Sequence, residues 1–167
     1  MRKKEQISIF IVEDNKVFTL TLKAEIEAAF IKIPLKIHSF VTGETCMLKF
    51  KEEKPQVVIL DYHLNSRYPD AMDGIKVLDW IKEESPETSV IMLTSDDNVE
   101  IALKSFKHGA SDYVVKSETK FRKINYSLFN LIKITEARND AQRYKYMAFG
   151  LFLCIAFMVG IIIAIQI

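Results

Sequence analysis

The sequence predicts an α/β protein with a doubly wound, five-stranded parallel sheet, and two observations lead to this fold class. First, amphipathic stretches separate five short apolar runs: ISIFIV, LKIHSF, VVIL, SVIML and DYVV. Second, runs such as VVIL are apolar without alternation, which is typical of parallel strands that helices cover on both faces. Because crossovers between parallel strands are right-handed, a doubly wound sheet is the default arrangement.

The stretches between the runs show helical periodicity. The first is predicted to bury one face, formed by Val17, Leu20, Ala24 and Ala28. The second, at 44–53, follows Gly43 and stops before Pro55, as helices do. Three more stretches carry a similar signal: the face Ile75, Leu78 and Ile81; the segment 98–107 ahead of a predicted left-handed C-cap at Gly109; and the face Phe121, Ile124, Leu128, Leu131 and Ile132.

The end of the sequence predicts a membrane segment. No residue from Tyr146 to Ile167 is charged, and at about 1.5 Å per residue this stretch is long enough to cross a hydrocarbon core of roughly 30 Å. The predicted organisation is a folded domain at 1–135, a juxtamembrane linker at 136–146 and a transmembrane helix at 147–167. Basic residues precede the span and none follows it, so the positive-inside rule places the folded domain in the cytosol, at the inner membrane of a bacterium.

Composition narrows the partners that the chain is expected to have. The 167 residues include 23 basic and 22 acidic ones spread along the chain, which does not predict a surface for nucleic acid. The cysteines Cys46 and Cys154 are expected to be small apolar fillers in a reducing compartment. A homodimer is possible through small residues repeated every four positions in the span: Ala156, Gly160 and Ala164.

Reactive side chains stand where the apolar runs end. Glu13 and Asp14 close the first run, Asp61 the third, Thr94 the fourth and Lys116 the fifth. In an open parallel sheet, ligands bind just outside the carboxyl ends of the strands. Three acids, a hydroxyl and an amine are therefore expected to converge in one crevice, as an acyl-phosphate site needs.

This ordered set resembles the receiver domain of two-component response regulators. The resemblance rests on Glu13-Asp14, Asp61, Asp73-Gly74, Thr94-Ser95 and the pair Tyr113 and Lys116, and it extends from Gln6 to about Thr135. It implies the flavodoxin-like strand order 2-1-3-4-5. It also implies a signalling domain that assists its own phosphorylation and dephosphorylation and is not an enzyme in the usual sense.

The resemblance assigns a phosphorylation site and a metal site. Asp61 is the implied nucleophile, which takes a phosphoryl group from a phosphohistidine on a histidine kinase or a histidine phosphotransfer protein. Glu13, Asp14, Asp61 and the backbone carbonyl of His63 are the implied ligands of Mg²⁺, a hard cation that prefers oxygen. Carboxylates this close repel each other, so at least one is expected to have a raised pKa when no metal is bound.

The resemblance also assigns catalytic and switch residues. Lys116 is expected to pair with the Asp61 carboxylate or its phosphoryl oxygens, and Thr94 to donate a hydrogen bond to the phosphoryl group. Movement of the Thr94 hydroxyl vacates space for the Tyr113 ring, so these two residues are the implied switch. No output domain follows the receiver in this sequence, so the expected function is a membrane-tethered single-domain response regulator that signals by protein contact or onward phosphotransfer.

Other readings of these residues stay open. Asp14 and Asp73 could each be a helix N-cap, and Asp73 is interpreted as a structural one. A phosphohydrolase of the haloacid dehalogenase type needs Asp-x-Asp after the first strand, but here Asn15 and Lys16 follow Asp14. A phosphorylation-independent pseudo-receiver that acts as a membrane scaffold is the alternative. It is favoured by the long 62–73 loop and by Ser117, where the family usually has a cis proline.

Overall fold

The computed structural model describes residues 6–64 and 72–166, except for the side chains at 139 and from 154 onward. Five strands alternate with five helices, as the apolar runs predict. The elements are β1 (Ile7–Val12), α1 (Lys16–Ala29), β2 (Leu35–Phe40), α2 (Gly43–Glu53), β3 (Val57–Asp61), α3 (Gly74–Glu84), β4 (Ser89–Thr94), α4 (Val99–Lys107), β5 (Asp112–Val115) and α5 (Lys120–Gln166).

The five strands form one parallel sheet in the order β2-β1-β3-β4-β5, which confirms the predicted fold class and strand order. The register aligns the carboxyl ends of neighbouring strands. Val12 is paired with Leu60, Asp61 with Leu93, and Thr94 with Val115. Residues that end these strands, or follow directly after them, therefore lie side by side at one edge of the sheet.

The core lies on both faces of the central strands. Every residue of β3 and β4 is buried, which explains why their sequences are apolar without alternation. Large side chains such as Phe10, Phe50 and Leu78 are fully buried. Each stabilises the fold by about 1.5–3 kcal/mol relative to exposure. Cys46 lies in this core, where burial raises the pKa of its thiol to about 12, as expected for an apolar filler.

The predicted buried face of α1 is wrong. Val17 and Leu20 are 75% and 69% exposed, and the two alanines of that face are exposed as well. The helix instead buries Leu22 and Ile26, and its C-cap residue Phe30 is also buried. Burial of leucine, isoleucine and phenylalanine side chains removes more apolar area from water than burial of the predicted face, which includes two alanines. The helix is therefore more stable with the observed face buried.

Local caps set where the helices begin and end. Asn15, and not Asp14, is the N-cap of α1, and its side chain accepts hydrogen bonds from the backbone of Val17 and Phe18. Asp73 caps α3 by accepting from the Lys76 backbone, as its interpretation as a structural residue predicted. Gly109 follows α4 with a φ of +93°, the left-handed conformation predicted there.

The chain divides into two compact units, one that ends at Leu131 and one that begins at Ile132. Within the part of the chain that the structure describes, no helix combines the length and the apolar character needed to cross a membrane. Most of the predicted span at 147–167, with its small residues at 156, 160 and 164, lies outside the described side chains. The span, its orientation, the possible dimer and the domain boundaries at 135 and 146 stay predictions.

Candidate functional site

A cleft of about 430 Å³ opens at the carboxyl ends of the strands. Eight polar or charged residues line it. Six of them end or follow β1, β3 or β5, and two belong to the loop after β4. The lining residues are Glu13, Asp14, Asn15, Asp61, His63, Ser95, Asp96 and Lys116. The aligned strand ends bring five of the predicted site residues into one place: the three acids, His63 and Lys116. Thr94 and Tyr113 do not line this cleft.

Three buried carboxylates meet in this cleft. Glu13, Asp14 and Asp61 are 1%, 6% and 3% exposed, and each offers an oxygen that lies within 4.8 Å of the other two. The pKa of Glu13 is raised to about 7, chiefly by burial and then by the charge of Asp61, against the opposing effect of Lys116. A raised carboxyl pKa was predicted for this group of acids, and burial is its largest cause.

Lys116 neutralises part of this negative charge. Its Nζ lies 2.7 Å from Glu13 Oε2 and 3.0 Å from Asp61 Oδ2. Burial by itself lowers the pKa of the Lys116 ammonium, but the charges of Asp61 and Glu13 outweigh that effect and raise it. Lys116 is therefore charged at neutral pH, and it lies closer to Glu13 than to Asp61, the partner that the resemblance implied.

The backbone around Lys116 is held without a cis bond. The Lys116 N–H donates to the Thr94 carbonyl at 2.7 Å, and the Ser117 N–H donates to the Val115 carbonyl at 2.8 Å. Every peptide bond in residues 6–64 and 72–166 is trans, including the bond between Lys116 and Ser117. The loop after β5 therefore has a trans bond at the position where the family usually has a cis proline.

The free oxygen of Asp61 makes the acidic cluster suitable for a cation. Asp61 Oδ1 is buried and has no hydrogen-bond partner among the described residues, while Oδ2 faces Lys116. A buried carboxylate oxygen without a partner is costly. A hard divalent cation such as Mg²⁺ is bound by carboxylate oxygens and would supply the missing interaction. Glu13, Asp14 and Asp61 are thus suited to hold it.

Gly74 allows α3 to begin directly against the carboxyl end of β3. A Cβ at this position would lie 2.3 Å from the Asp61 carbonyl oxygen and 2.8 Å from the Tyr62 Cα. The Gly74 N–H donates to the Tyr62 carbonyl at 3.0 Å. The sequence marked Asp73-Gly74 only as a turn and cap, whereas the structure shows that the glycine is needed for this close approach.

Thr94 and Tyr113 are joined through one residue, Asp96. Thr94 is fully buried, and its Oγ1 accepts a hydrogen bond from the Asp96 N–H at 3.1 Å. The Tyr113 hydroxyl donates to the Asp96 carbonyl at 2.9 Å. Burial raises the pKa of the Tyr113 phenol, and the nearby charges of Asp97 and Asp96 act in the same direction, so Tyr113 remains a neutral donor.

Sequence reasoning missed Asp96 and the ring of His63. The His63 Nε2 lies 2.8 Å from Asp96 Oδ2, so the loops after β3 and β4 meet across the cleft. The resemblance assigned only the backbone carbonyl of His63, as a metal ligand, and predicted no role for Asp96. The one available signal for Asp96 was its position two residues after Thr94.

Comparisons with known proteins agree with this geometry. Residues 9–126 match the family model described as the response regulator receiver domain. The regulatory protein LuxO of Vibrio cholerae is 26% identical over 131 residues, which is 78% of this chain and 27% of the relative. The nitrogen assimilation regulatory protein NtrX of Azorhizobium caulinodans is 36% identical over 103 residues, 62% of this chain and 20% of the relative. The chain thus spans about a quarter or less of the length of these relatives.

Solved structures give the same result. The signal receiver domain of a LuxO repressor protein from Vibrio parahaemolyticus superposes with a TM-score of 0.70 at 27% identity, covering 81% of this chain and 96% of that one. The BeF₃-activated receiver domain of DrrB superposes with a TM-score of 0.63 at 31% identity, covering 77% and 99%. With the family model matching most of the chain, the sheet order and the acidic cleft have a common explanation: the chain belongs to the response regulator receiver domain family.

Proposed function

We propose that Asp61 accepts a phosphoryl group from a phosphohistidine donor in a two-component phosphorelay. The observation that carries this proposal is the environment of the Asp61 carboxylate. One oxygen faces the Lys116 ammonium at 3.0 Å, and the other is buried and has no hydrogen-bond partner among the described residues. A carboxylate held in this way at the floor of a cleft is oriented for attack on a phosphorus atom.

The transfer forms one bond and breaks one. An Asp61 oxygen attacks phosphorus, the P–N bond to the donor imidazole breaks, and the imidazole leaves with the electron pair and takes up a proton. The product is an acyl phosphate on Asp61. Receiver domains are signalling domains and not classical enzymes, so this modification is the signal and not a step in the turnover of a metabolite.

The chain's own residues stabilise the transferred group. Receiver domains bind Mg²⁺ at an acidic pocket; here Glu13, Asp14 and Asp61 would hold the ion, which would supply positive charge to offset that of the phosphoryl oxygens. The His63 carbonyl is proposed as a further ligand. The Lys116 ammonium sits beside Asp61 and offers its charge to the same oxygens.

Thr94 and Tyr113 are proposed to transmit the modification to the surface. In this structure the Thr94 hydroxyl accepts from the Asp96 N–H. When Thr94 turns to donate to a phosphoryl oxygen on Asp61, that contact is lost and the loop after β4 is released. The Tyr113 hydroxyl donates a hydrogen bond to the carbonyl of the same Asp96, so its ring is expected to move with the loop.

A small phosphodonor tests the central assignment. Purified protein incubated with acetyl phosphate and Mg²⁺ should gain one phosphoryl group by intact-mass spectrometry, and Asp61→Asn should gain none. Asp97→Asn is the matched control, because Asp97 is an exposed acid that does not line the cleft and should label like the wild type. Equal labelling of wild type and Asp61→Asn contradicts the assignment. Absence of labelling in all three proteins favours the pseudo-receiver scaffold.

The donor is proposed to be a histidine kinase or a histidine phosphotransfer protein, because receiver domains interact with both classes. Incubation with each purified kinase or phosphotransfer protein of the host, first labelled on histidine, identifies it. The cognate donor should lose label to this chain within the shortest incubation. Transfer at equal rates from every donor would contradict a dedicated partner.

We also propose that the segment 147–167 anchors the receiver to the cytosolic face of a membrane. Support comes from the uncharged stretch that begins at Tyr146 and from the basic residues before it, Arg138, Arg143 and Lys145. The full chain should resist extraction by alkaline carbonate, whereas a truncation after Lys145 should be released. Release of both would contradict the anchor, and protection of the receiver from protease in inside-out vesicles would contradict the orientation.

A further inference from the structure

Two phenylalanine rings and two lysines form a contact series beside the cleft. The Lys116 Nζ lies 5.0 Å from the centroid of the Phe18 ring. Phe18 is stacked on Phe121, with a centroid distance of 5.6 Å and an interplanar angle of 28°. The Lys120 Nζ lies 5.2 Å from the Phe121 centroid. We call these four residues the cation–aromatic series.

The Phe18 ring gives Lys116 a contact in addition to its ion pairs with Glu13 and Asp61. A lysine ammonium carries three donors on a flexible four-carbon stem. The carboxylates of Glu13 and Asp61 form ion pairs with the Lys116 ammonium. Its Nζ lies 2.7 Å from Glu13 Oε2 and 3.0 Å from Asp61 Oδ2, so Glu13 is the closer partner. The negative face of an aromatic ring within about 6 Å attracts a cation, and more strongly where the cation is partly removed from water. The Lys116 side chain is 15% exposed and meets this condition.

Phe18 is in turn held by its neighbours. It stands in the first turn of α1, directly after the acids that follow β1, and Phe121 stands in the first turn of α5. Both rings are only half-buried, so they are not part of the fully enclosed core. The stacked pair thus joins the starts of two helices next to the residue that carries the site's positive charge.

We propose that Phe18 is a positioning residue for phosphoryl transfer, which keeps the Lys116 ammonium over the Asp61 carboxylate, with Phe121 fixing the ring. This inference rests on the proposed function of Asp61. Without the ring face, the ammonium is free to leave Asp61 for solvent or to stay paired with Glu13 alone, which it already contacts at 2.7 Å. The maximal rate of Asp61 phosphorylation should then fall, while saturation by a small phosphodonor should change little, because Phe18 does not line the cleft.

The first test measures labelling of the full chain by acetyl phosphate at several concentrations with Mg²⁺. Phe18→Leu should lower the maximal rate by about threefold to tenfold, the range of one partly buried cation–π contact. Phe18→Tyr keeps the aromatic face and should restore the wild-type rate. Val17→Ala is the matched control, since Val17 is the neighbouring residue and 75% exposed, and it should label normally.

A second series separates the ring's electrostatics from its packing. Phenylalanine with one, two and three ring fluorines, introduced at Phe18, keeps nearly the same shape and weakens the negative face stepwise. The logarithm of the maximal rate should fall in step with fluorination, while thermal melting stays at the wild-type value. Equal rates across the fluorinated series, in protein that labels at Asp61, would overturn the positioning role and leave the proposed function intact.

A third readout does not depend on phosphorylation. In protein carrying ¹³C-labelled lysine, the Phe18 ring current should displace the Lys116 ε-methylene resonance upfield, and Phe18→Leu should remove that displacement. If Asp61 never labels but the displacement is present, the proposed function fails and the placement of Lys116 by Phe18 is still supported. An undisplaced resonance in the wild type would overturn the inference.

Discussion

Replacement of Glu13 by glutamine should stabilise the metal-free protein at neutral pH. Glu13 is 1% exposed, and its pKa is raised from an ordinary 4.5 to about 7 by burial first and by the charge of Asp61 second. The folded state therefore holds this proton more tightly than the unfolded state does. The stabilising effect of that proton is fully present below about pH 4.5 and is lost as the pH rises through about 7.

The size of the effect follows from the two pKa values. Since one pKa unit corresponds to about 1.4 kcal/mol, ionisation of Glu13 in the folded state costs about 3 kcal/mol of stability above pH 7. Because Glu13 is almost fully buried, no large reduction for solvent screening applies. Glutamine resembles the protonated carboxyl group and does not ionise. Glu13→Gln should therefore equal the wild type near pH 4.5 and exceed it by about 3 kcal/mol at pH 8.

Guanidinium denaturation in the presence of EDTA, repeated from about pH 4.5 to 8, measures this difference. Addition of Mg²⁺ should stabilise the wild type more than Glu13→Gln, because a ligand that binds only the folded state adds to its stability and glutamine lacks the charge to hold it well. A difference between the two proteins that does not vary with pH would refute the reasoning about burial and charge at Glu13.

Three further predictions concern the backbone around the site, and denaturation curves measure each of them. Gly74→Ala should cost about 2 kcal/mol or more, since its Cβ would lie 2.3 Å from the Asp61 carbonyl oxygen. A denaturation midpoint equal to that of the wild type would contradict the close approach. Asp73→Ala should cost about 1 kcal/mol through loss of the α3 N-cap, and an unchanged midpoint would argue against that cap. Ser117→Pro should cost about 1 kcal/mol of stability, because it removes the N–H that donates to the Val115 carbonyl at 2.8 Å. It should also slow phosphorylation, measured by labelling with acetyl phosphate. Unaltered stability and rate would count against this turn.

The fold was predictable because its signal is local and repeated. Strands such as β3 and β4 are buried on both faces, so their apolar runs stand out from the amphipathic helices. The rotation of α1 about its axis was not predictable in the same way. Two sets of apolar residues fit a helical period there, and which set is buried depends on where β1 ends and on the cap at Asn15. The sequence shows the periodicity and leaves the choice between the two faces to packing.

The placement of the charged site residues followed from topology. Acids and a lysine at the ends of neighbouring parallel strands must lie close together, so the meeting of Glu13, Asp61 and Lys116 needs only the strand order. Contacts between loops and helices have no such rule. Asp96 stands in a polar run that resembles a solvated loop, and the contact of Phe18 with Lys116 joins a helix to a loop far away in the sequence. The strand order therefore does not determine the contacts of Asp96 and Phe18.

The most direct test of the account is to identify the residue that carries the acyl phosphate. After labelling with acetyl phosphate and Mg²⁺, borohydride reduces an aspartyl phosphate to homoserine, and peptide mass spectrometry locates it. We predict homoserine at position 61 alone. Among the described residues, only the Asp61 carboxylate combines an oxygen 3.0 Å from Lys116, Oδ2, with a second buried oxygen, Oδ1, that has no hydrogen-bond partner. Homoserine at Asp14, or at another aspartate with position 61 unmodified, would contradict this assignment.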